Sequence, residues 1–182
     1  MASAILTADT ALMADTALKA SNALMAEIVT RTQLIAAAAE ARRAGCTIAF
    51  ANGCFDILHV GHIRYLESSA QEADLLVVAI NDDESVGRLK GTGRPILAAE
   101  HRAELIAALR CVDYVIIFPE PTVGPLLDAL RPDVHCKGTD YTVESVPERQ
   151  IVKTYGGRTA IVGDPKDHST RGLLARIAGS KP

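Results

Sequence analysis

Two histidines three residues apart, His59 and His62, are the residues of this sequence best suited to chemistry. They close the segment Asn52–His62, which follows a strand pattern and leads into a helix pattern. A helix N-terminus offers unbonded main-chain N–H groups and a partial positive charge, and both attract phosphate. Gly61 removes a side chain where a phosphate must approach the main chain, and each imidazole can donate a hydrogen bond to a phosphate oxygen. The segment therefore predicts a phosphate-binding turn.

The histidine pair has two other interpretations. Two histidines at this spacing can be zinc ligands, but no carboxylate or cysteine stands at a familiar spacing to complete the set. The pair could also be packed in the core, although a glycine-flanked loop is a poor place to bury imidazoles. We therefore expect no metal site built by the protein alone.

The elements that must position this turn alternate between strand and helix. The apolar run up to Ile80 is typical of a parallel strand that is buried on both faces. Predicted strands cover residues 46–51, 74–80, 114–118, 134–136 and 159–162. Predicted helices cover residues 32–43, 63–70, 99–110, 123–130, 147–155 and 169–177. This order predicts a single-domain α/β fold with a doubly wound parallel sheet of about five strands. Ligands of such sheets bind beyond the carboxyl ends of the strands.

The first part of the chain has a different character. Residues 1–30 are rich in Ala, Leu and Met and contain an approximate six-residue repeat, which fits no helical face. We interpret them as a low-complexity N-terminal extension, or alternatively as an oligomerisation arm, and place the domain at residues 31–182. Thr32 is expected to cap the first helix and Gly45 to end it.

Composition narrows the classes of function. With 19 basic and 22 acidic residues the net charge is −3, so the basic footprint of a nucleic-acid-binding protein is missing. Four scattered cysteines indicate reduced thiols. No apolar run is long enough for a membrane span, and the N-terminus lacks the basic region of a signal peptide. We therefore expect a cytoplasmic protein with no membrane and no nucleic-acid partner.

The segment Gly53–His62 resembles the signature of the cytidylyltransferase-like nucleotidyltransferases, which carry an HxGH motif. Further segments resemble one branch of that superfamily, the heptose 1-phosphate adenylyltransferases, which also form the nucleotidyltransferase half of bacterial ADP-heptose synthase. Those segments are Asn81–Val86, Leu89–Pro95, His101–Arg102, Val112–Val115, Arg131–Val134, Lys137–Tyr141, Tyr155–Gly157 and Ser169–Thr170. The resemblance covers about residues 30 to 178 and implies a Rossmann-like fold.

The resemblance implies direct transfer of AMP from ATP to a sugar 1-phosphate, with release of pyrophosphate. An oxygen of the acceptor phosphate is already mostly ionised near neutral pH, because the second phosphate pKa is about 6. The enzyme then needs to bring two polyanions together and stabilise the leaving group rather than supply a general base. Mg²⁺ is expected with the triphosphate, and a homodimer is expected as the assembly.

Residue types and the resemblance together assign roles. The predicted catalytic residues are His59, His62 and Lys90. The predicted nucleotide-binding residues are Asn52, Gly53, Phe55, Gly61, Lys137, Gly138, Asp140, Ser169 and Thr170. The predicted substrate-binding residues are Asp56, Asn81, Asp83, Arg94 and Arg102. Several have simpler alternatives: Lys90 and Arg94 can belong to a solvated loop around a glycine-rich turn, and Ser169 can merely cap the last helix.

Three functions stay open. This chain reads His168–Arg171 where the heptose branch usually has Ser-Thr-Thr, which leaves the sugar and the base open. A cytidylyltransferase acting on glycerol phosphate or another polyol phosphate is the first alternative, although residues 163–167 lack the Arg-Thr-Glu-Gly stretch typical of that branch. The second alternative is a nucleotide-binding regulator without catalysis.

Overall fold

The computed structural model describes residues 25–165 and, beyond them, residues 172, 174, 177 and 179. Its strands are β1 (Glu27–Ile28), β2 (Ile48–Gly53), β3 (Leu75–Asn81), β4 (Tyr114–Phe118), β5 (Val134–Gly138) and β6 (Arg158–Val162). These six strands form one parallel sheet in the order β1-β4-β3-β2-β5-β6. The predicted Rossmann-like parallel α/β fold is therefore confirmed, with one strand more than the expected five.

Helices cover both faces of the sheet. They are α1 (Arg31–Arg43), α2 (Val60–Ala70), α3 (Asp83–Lys90), α4 (Ala99–Ala107), α5 (Gly124–Leu130) and α6 (Arg149–Thr154), with a 3₁₀ turn at Val143–Ser145. One hydrophobic cluster joins the sheet to α2 and α4, and a second joins the opposite face to α1, α5 and α6. No described helix is both long and apolar enough to cross a membrane.

Alternation along β2 explains how one strand serves both clusters. Ala49 and Ala51 belong to the cluster under α2 and α4, whereas Ile48 and Phe50 belong to the opposite cluster. Successive side chains of a strand point to opposite faces, so a strand buried on both sides reads as a continuous apolar run. By the same alternation, Asn52 lies on the face of α1, α5 and α6.

The start of the domain differs from the prediction. The strand Glu27–Ile28 pairs with Tyr114 and Val115 of β4, so the sheet begins before residue 31, where the sequence analysis placed the boundary. Residues 1–24 of the expected extension lie outside the described residues.

The first helix is capped differently from the prediction. Thr32 was the wrong cap, because Thr30 is the N-cap of α1 and Thr30 and Gln33 form a reciprocal capping box. The expected end of the helix is confirmed, since Gly45 follows the C-cap with a φ of 82°.

Two other helices differ from their prediction. Helix α3 was not predicted, and Lys90 is its last residue rather than part of a loop. Most of the predicted helix 169–177 lies outside the described residues. Within that range, the described residues 172, 174 and 177 are helical.

Candidate active site

The junction between β2 and α2 lies at the carboxyl edge of the sheet. His59 is the N-cap of α2 with extended backbone angles, and its side chain makes no capping hydrogen bond. Helix α2 begins with Val60 and Gly61, whose amides belong to the first turn and have no acceptor within an α-helix. The sequence therefore builds the expected anion-attracting helix N-terminus at the edge where parallel sheets bind ligands.

The two imidazoles lie together at this N-terminus. The rings of His59 and His62 are stacked, with centroids 3.8 Å apart and planes inclined by 21°. Phe55 packs its ring edge-on against His62 at 5.3 Å. Gly53 makes room for Phe55, since a Cβ at residue 53 would lie 3.1 Å from that ring. Gly53 and Phe55 thus support the ring of His62 by packing.

The environment of His62 keeps its imidazole neutral. Burial lowers the pKa of His62 to about 4, and the nearby His59 and Lys90 lower it further in the same direction. A hydrogen bond to the main chain of Ile57 acts in the opposite direction and occupies the one N–H of the neutral ring. An incoming phosphate would oppose the effects of His59 and Lys90, because an anion favours the protonated ring.

Lys90 is the last residue of α3 and lies near enough to His62 to lower the pKa of that imidazole. Its side chain is exposed, and its positive charge acts to lower the pKa of both His62 and Cys54. Gly91 and Gly93 follow with φ angles of 92° and 79°, a conformation that L side chains rarely adopt. The lysine therefore stands where a helix gives way to a glycine-rich turn beside the imidazoles.

Asp56 is buried and holds the segment that follows this turn. Its carboxylate pairs with the guanidinium of Arg94. It also accepts hydrogen bonds from the amides of Ile96 at 2.6 Å and Leu97 at 3.2 Å. Asp56 and Arg94 were predicted to bind substrate. Their observed contacts give both residues a part in ordering the loop, and substrate contact stays a prediction.

Arg102 lies inside the protein rather than on the wall of the crevice. Its side chain is fully buried and donates to the carbonyls of Cys54 at 2.6 Å, Asn81 at 2.8 Å and Leu97 at 2.9 Å. It also pairs with the carboxylate of Asp83 at 2.7 Å. Arg102 was predicted to bind substrate. Four acceptors of the protein already engage its guanidinium, and substrate contact stays a prediction. Arg102 joins the ends of β2 and β3.

Asn81 and Asp83 end β3 at the same edge. Asn81 is buried, and its side-chain oxygen lies 3.9 Å from the thiol sulfur of Cys54. Asp83 is half exposed, and Arg102 binds one of its carboxylate oxygens. Asp83 therefore keeps part of its carboxylate open to solvent, whereas Asn81 is enclosed by the protein, and substrate contact of both residues stays a prediction.

On the other face of the sheet, Asn52 meets the end of β5. The side-chain oxygen of Asn52 accepts from the Nζ of Lys137 at 3.0 Å and lies 3.1 Å from the Nε2 of His135. Lys137 is buried and lies 3.6 Å from the carboxylate of Glu148, with the ring of Tyr141 at 5.4 Å. Burial lowers the pKa of Lys137, while Glu148 acts in the opposite direction.

Gly138 and Asp140 follow Lys137 at the rim. A Cβ at Gly138 would lie 3.0 Å from a carboxylate oxygen of Asp140, so the glycine permits this turn. Asp140 itself is exposed. Ser169 and Thr170, which were predicted to bind the triphosphate, lie outside the described residues.

Three polar residues near the site, His135, Tyr65 and Glu148, were not singled out from the sequence. His135 and Lys137 share a face of β5 because they are two residues apart, and that spacing was a readable signal. Burial lowers the pKa of His135 to about 3, with a further contribution from Lys137. Tyr65 of α2 donates to the carbonyl of Cys136 at 2.8 Å and so ties the histidine-bearing helix to β5. Glu148 gave no signal, because only the fold brings it to Lys137.

Within the part of the chain that the structure describes, no group of three or more His, Cys, Asp or Glu side chains could hold a metal ion.

Comparison with known proteins places the chain in a family. Residues 50–173 match the family model described as cytidylyltransferase-like. This chain belongs to the cytidylyltransferase-like family. The family assignment made from the HxGH motif is thereby confirmed, and with it the predicted class of enzyme, nucleotidyltransferase.

Several members of the family are similar over most of this chain. A protein of Syntrophotalea carbinolica named bifunctional protein HldE is 47% identical over 136 residues, which is 75% of this chain and 28% of the relative. The HldE of Pseudomonas aeruginosa strain LESB58 is 48% identical over 145 residues, covering 80% of this chain and 31% of the relative. The chain thus spans about a third of the length of these relatives.

One solved structure extends the comparison to the fold. The lipopolysaccharide core biosynthesis protein of Thermoplasma volcanium is 30% identical, with a TM-score of 0.55. The match covers 65% of this chain and 95% of that protein.

Proposed function

We propose that this protein transfers AMP from ATP to a sugar 1-phosphate, heptose 1-phosphate, and releases pyrophosphate. The observation that carries the proposal is the stacked pair His59 and His62 at the uncapped N-terminus of α2, with Lys90 beside it. Similarity to proteins named HldE and to a protein of lipopolysaccharide core biosynthesis supports the choice of substrate.

The chemistry proceeds in one displacement. An oxygen of the acceptor phosphate attacks the α-phosphorus of ATP and forms a new P–O bond. The bond to the bridging oxygen between the α- and β-phosphorus breaks, and the electron pair leaves with pyrophosphate. No general base is required, because the acceptor oxygen is already largely ionised near neutral pH.

The residues of this chain act mainly on the leaving group. The first-turn amides of α2 and the imidazoles of His59 and His62 would donate hydrogen bonds to the β- and γ-phosphates, His62 through the second N–H that it gains when the phosphate favours its protonated ring. Lys90 would add a positive charge from the open side as charge builds on the departing pyrophosphate. Such donors accelerate the reaction only insofar as they bind the transition state more tightly than the substrates.

Mg²⁺ enters this proposal as the companion of ATP. It usually keeps several waters and binds through substrate phosphates with one or two carboxylates, so it does not need a protein cage. The exposed carboxylates of Asp83 and Asp140 at the carboxyl edge fit such a role. When bound, the ion would neutralise charge on the phosphates.

Two further proposals concern the cellular setting. We propose a cytoplasmic location, supported by the composition of the chain. We propose a homodimer, supported only by the resemblance to the heptose branch. Analytical ultracentrifugation at several concentrations tests the second, and a monomer at every concentration would overturn it.

A pyrophosphate-release assay tests the function. The pure protein is mixed with Mg²⁺, one nucleoside triphosphate and one sugar or polyol phosphate at a time. We expect release with ATP and heptose 1-phosphate. Release with CTP and glycerol phosphate instead would favour the cytidylyltransferase alternative. Nucleotide binding without release in any combination would favour the regulator.

A further inference from the structure

A second polar centre lies near the carboxyl ends of β2 and β5, on the sheet face that α1, α5 and α6 cover. Lys137 and Glu148 lie there with side chains that are only 9% and 13% exposed. A buried lysine needs acceptors for its three N–H groups, and a buried carboxylate needs donors for its oxygens. The contacts of these two groups are therefore informative about what binds between them.

The two groups leave part of their hydrogen-bonding capacity unused among the described residues. Lys137 donates to Asn52 at 3.0 Å, but its separation from the Oε2 of Glu148 is 3.6 Å, longer than a hydrogen bond. The Oε2 atom of Glu148 is buried without a hydrogen-bond partner within the described part of the chain. A donor and an acceptor thus lie side by side, held apart by slightly more than their contact distance.

The charge of this pair favours a neutral ligand group. Lys137 and Glu148 cancel each other, and a phosphate approaching Lys137 would meet the carboxylate of Glu148. The phosphate-attracting groups, namely the α2 N-terminus and Lys90, belong to the other side of the crevice. A pair of hydroxyl groups suits the gap better, because one oxygen can accept from Lys137 while its neighbour donates to Glu148.

We propose that Lys137 and Glu148, held by Asn52, form a subsite that recognises two adjacent hydroxyl groups of a bound sugar. Asn52 fixes the ammonium group from the sheet, and the ring of Tyr141 lies 5.4 Å from Nζ at the exposed rim. This inference rests on the proposed function for the presence of sugars in the crevice. Such a diol occurs both in the ribose of the nucleotide and in the acceptor sugar.

Binding measurements on deoxy analogues separate these two sources. Dissociation constants are measured by calorimetry for ATP against 2′-deoxy-ATP and 3′-deoxy-ATP, and for heptose 1-phosphate against its monodeoxy analogues. Wild-type protein should bind the intact diol at least about tenfold more tightly than the matching deoxy compound, the usual worth of a hydrogen bond to a charged group. Whichever ligand shows this preference is the source of the diol.

The Glu148→Gln variant tests whether the subsite causes the preference. It should lose most of the discrimination while keeping its affinity for the deoxy compound. Glu148→Asp, which keeps the charge but withdraws the oxygens, should fall in between. Glu144→Gln, on the exposed 3₁₀ turn nearby, is the matched control and should behave as wild type. Thermal unfolding of each variant verifies that the fold is retained.

The outcomes distinguish this inference from the proposed function. Unchanged discrimination in folded Glu148→Gln, with normal pyrophosphate release, would overturn the subsite alone. Loss of discrimination in Glu148→Gln, without pyrophosphate release by wild-type protein, would support the subsite and overturn the proposed function. Failure of wild-type protein to bind either class of ligand would overturn both.

Discussion

The two edges of the sheet use polar residues in opposite ways. At the amino edge, Asp74, Asp113 and Asp133 accept main-chain hydrogen bonds from neighbouring strands at 2.7 to 2.8 Å. At the carboxyl edge, His62 and Lys90 stand around a helix N-terminus without a side-chain cap. Side chains that bond the main chain of a strand hold strands in place, whereas side chains around an uncapped helix N-terminus can bind a ligand.

The carboxyl edge also contains its own structural part. Arg102 and Asp56 engage main-chain groups in the same manner as the aspartates of the amino edge. Residue type and the family resemblance had made them candidates for substrate contact. The difference between the two edges therefore lies in the partners of each side chain and not in its charge.

The largest effect is expected at His62. His62→Ala should lower kcat by at least about 100-fold, the usual cost of losing one donor that stabilises a transition state. The free energy of unfolding should change little, because the imidazole is only partly buried. Pyrophosphate-release assays measure kcat, and chemical denaturation measures the free energy of unfolding. A loss of several kcal/mol in stability with normal activity per folded molecule would instead assign His62 to the core.

Replacement of Lys90 should have the next largest effect. Lys90→Gln should lower kcat about 10- to 100-fold, as expected for a hydrogen bond to a charged group. It should also raise the pKa of His62, because the lysine charge helps to depress it. Proton NMR of the imidazole follows the pKa, and Arg88→Gln on the same helix is the control. An unchanged pKa of His62 would place Lys90 away from the histidines.

The amino edge should respond in stability alone. Asp133→Ala removes the acceptor of the buried Ile48 amide and should cost about 1–3 kcal/mol in the free energy of unfolding. Activity per folded molecule should not change, because this edge lies far from the imidazoles. A fall in kcat with unchanged stability would erase the distinction between the edges.

The pH dependence of stability should reflect the depressed imidazole. His62 has a folded pKa of about 4 and an unfolded value near 6.5, so the unfolded chain binds more protons between these values. Stability should therefore be complete above about pH 6.5 and decline as pH falls toward 4. Buried His135 acts in the same direction.

The contribution of His62 to this decline can be isolated by mutation. His62→Ala should make the decline shallower in urea titrations, whereas His101→Ala, on the exposed surface, should not. An identical slope for wild type and His62→Ala would show that the imidazole is not depressed.

The smallest effect is expected for the exposed ion pair of Arg158 with Glu72. Arg158→Ala should change stability by less than about 1 kcal/mol, because solvent screens an ion pair whose arginine is 56% exposed. Neither kcat nor KM should change. A large loss of stability would mean that surface charges contribute to the amino edge as much as the aspartates do.

The sequence was sufficient where local signals and fold agree. The apolar run of β3 predicted a buried parallel strand, and the turn ending in His59 and His62 predicted the strand-to-helix junction. The capping box of Thr30 and Gln33 was also readable, because it has the usual spacing of a hydroxyl residue and an amide three positions later.

Long-range contacts account for what the sequence could not provide. Strand β1 has two residues and exists through its pairing with β4, far along the chain. The burial of Arg102 depends on carbonyls from three segments that meet only in the folded protein. The neighbourhood of Lys137 and Glu148 likewise arises from packing of α6 against the sheet, and neither residue type predicts it.

The central claim is that the N-terminus of α2 and its histidines hold the phosphates of a nucleotide. A crystal structure of the protein with ATP and Mg²⁺ tests it most directly. The account predicts the β- and γ-phosphates within hydrogen-bond distance of both imidazoles and of the Val60 and Gly61 amides. Phosphates bound at another edge of the sheet, with the imidazoles closed off by side chains, would contradict it.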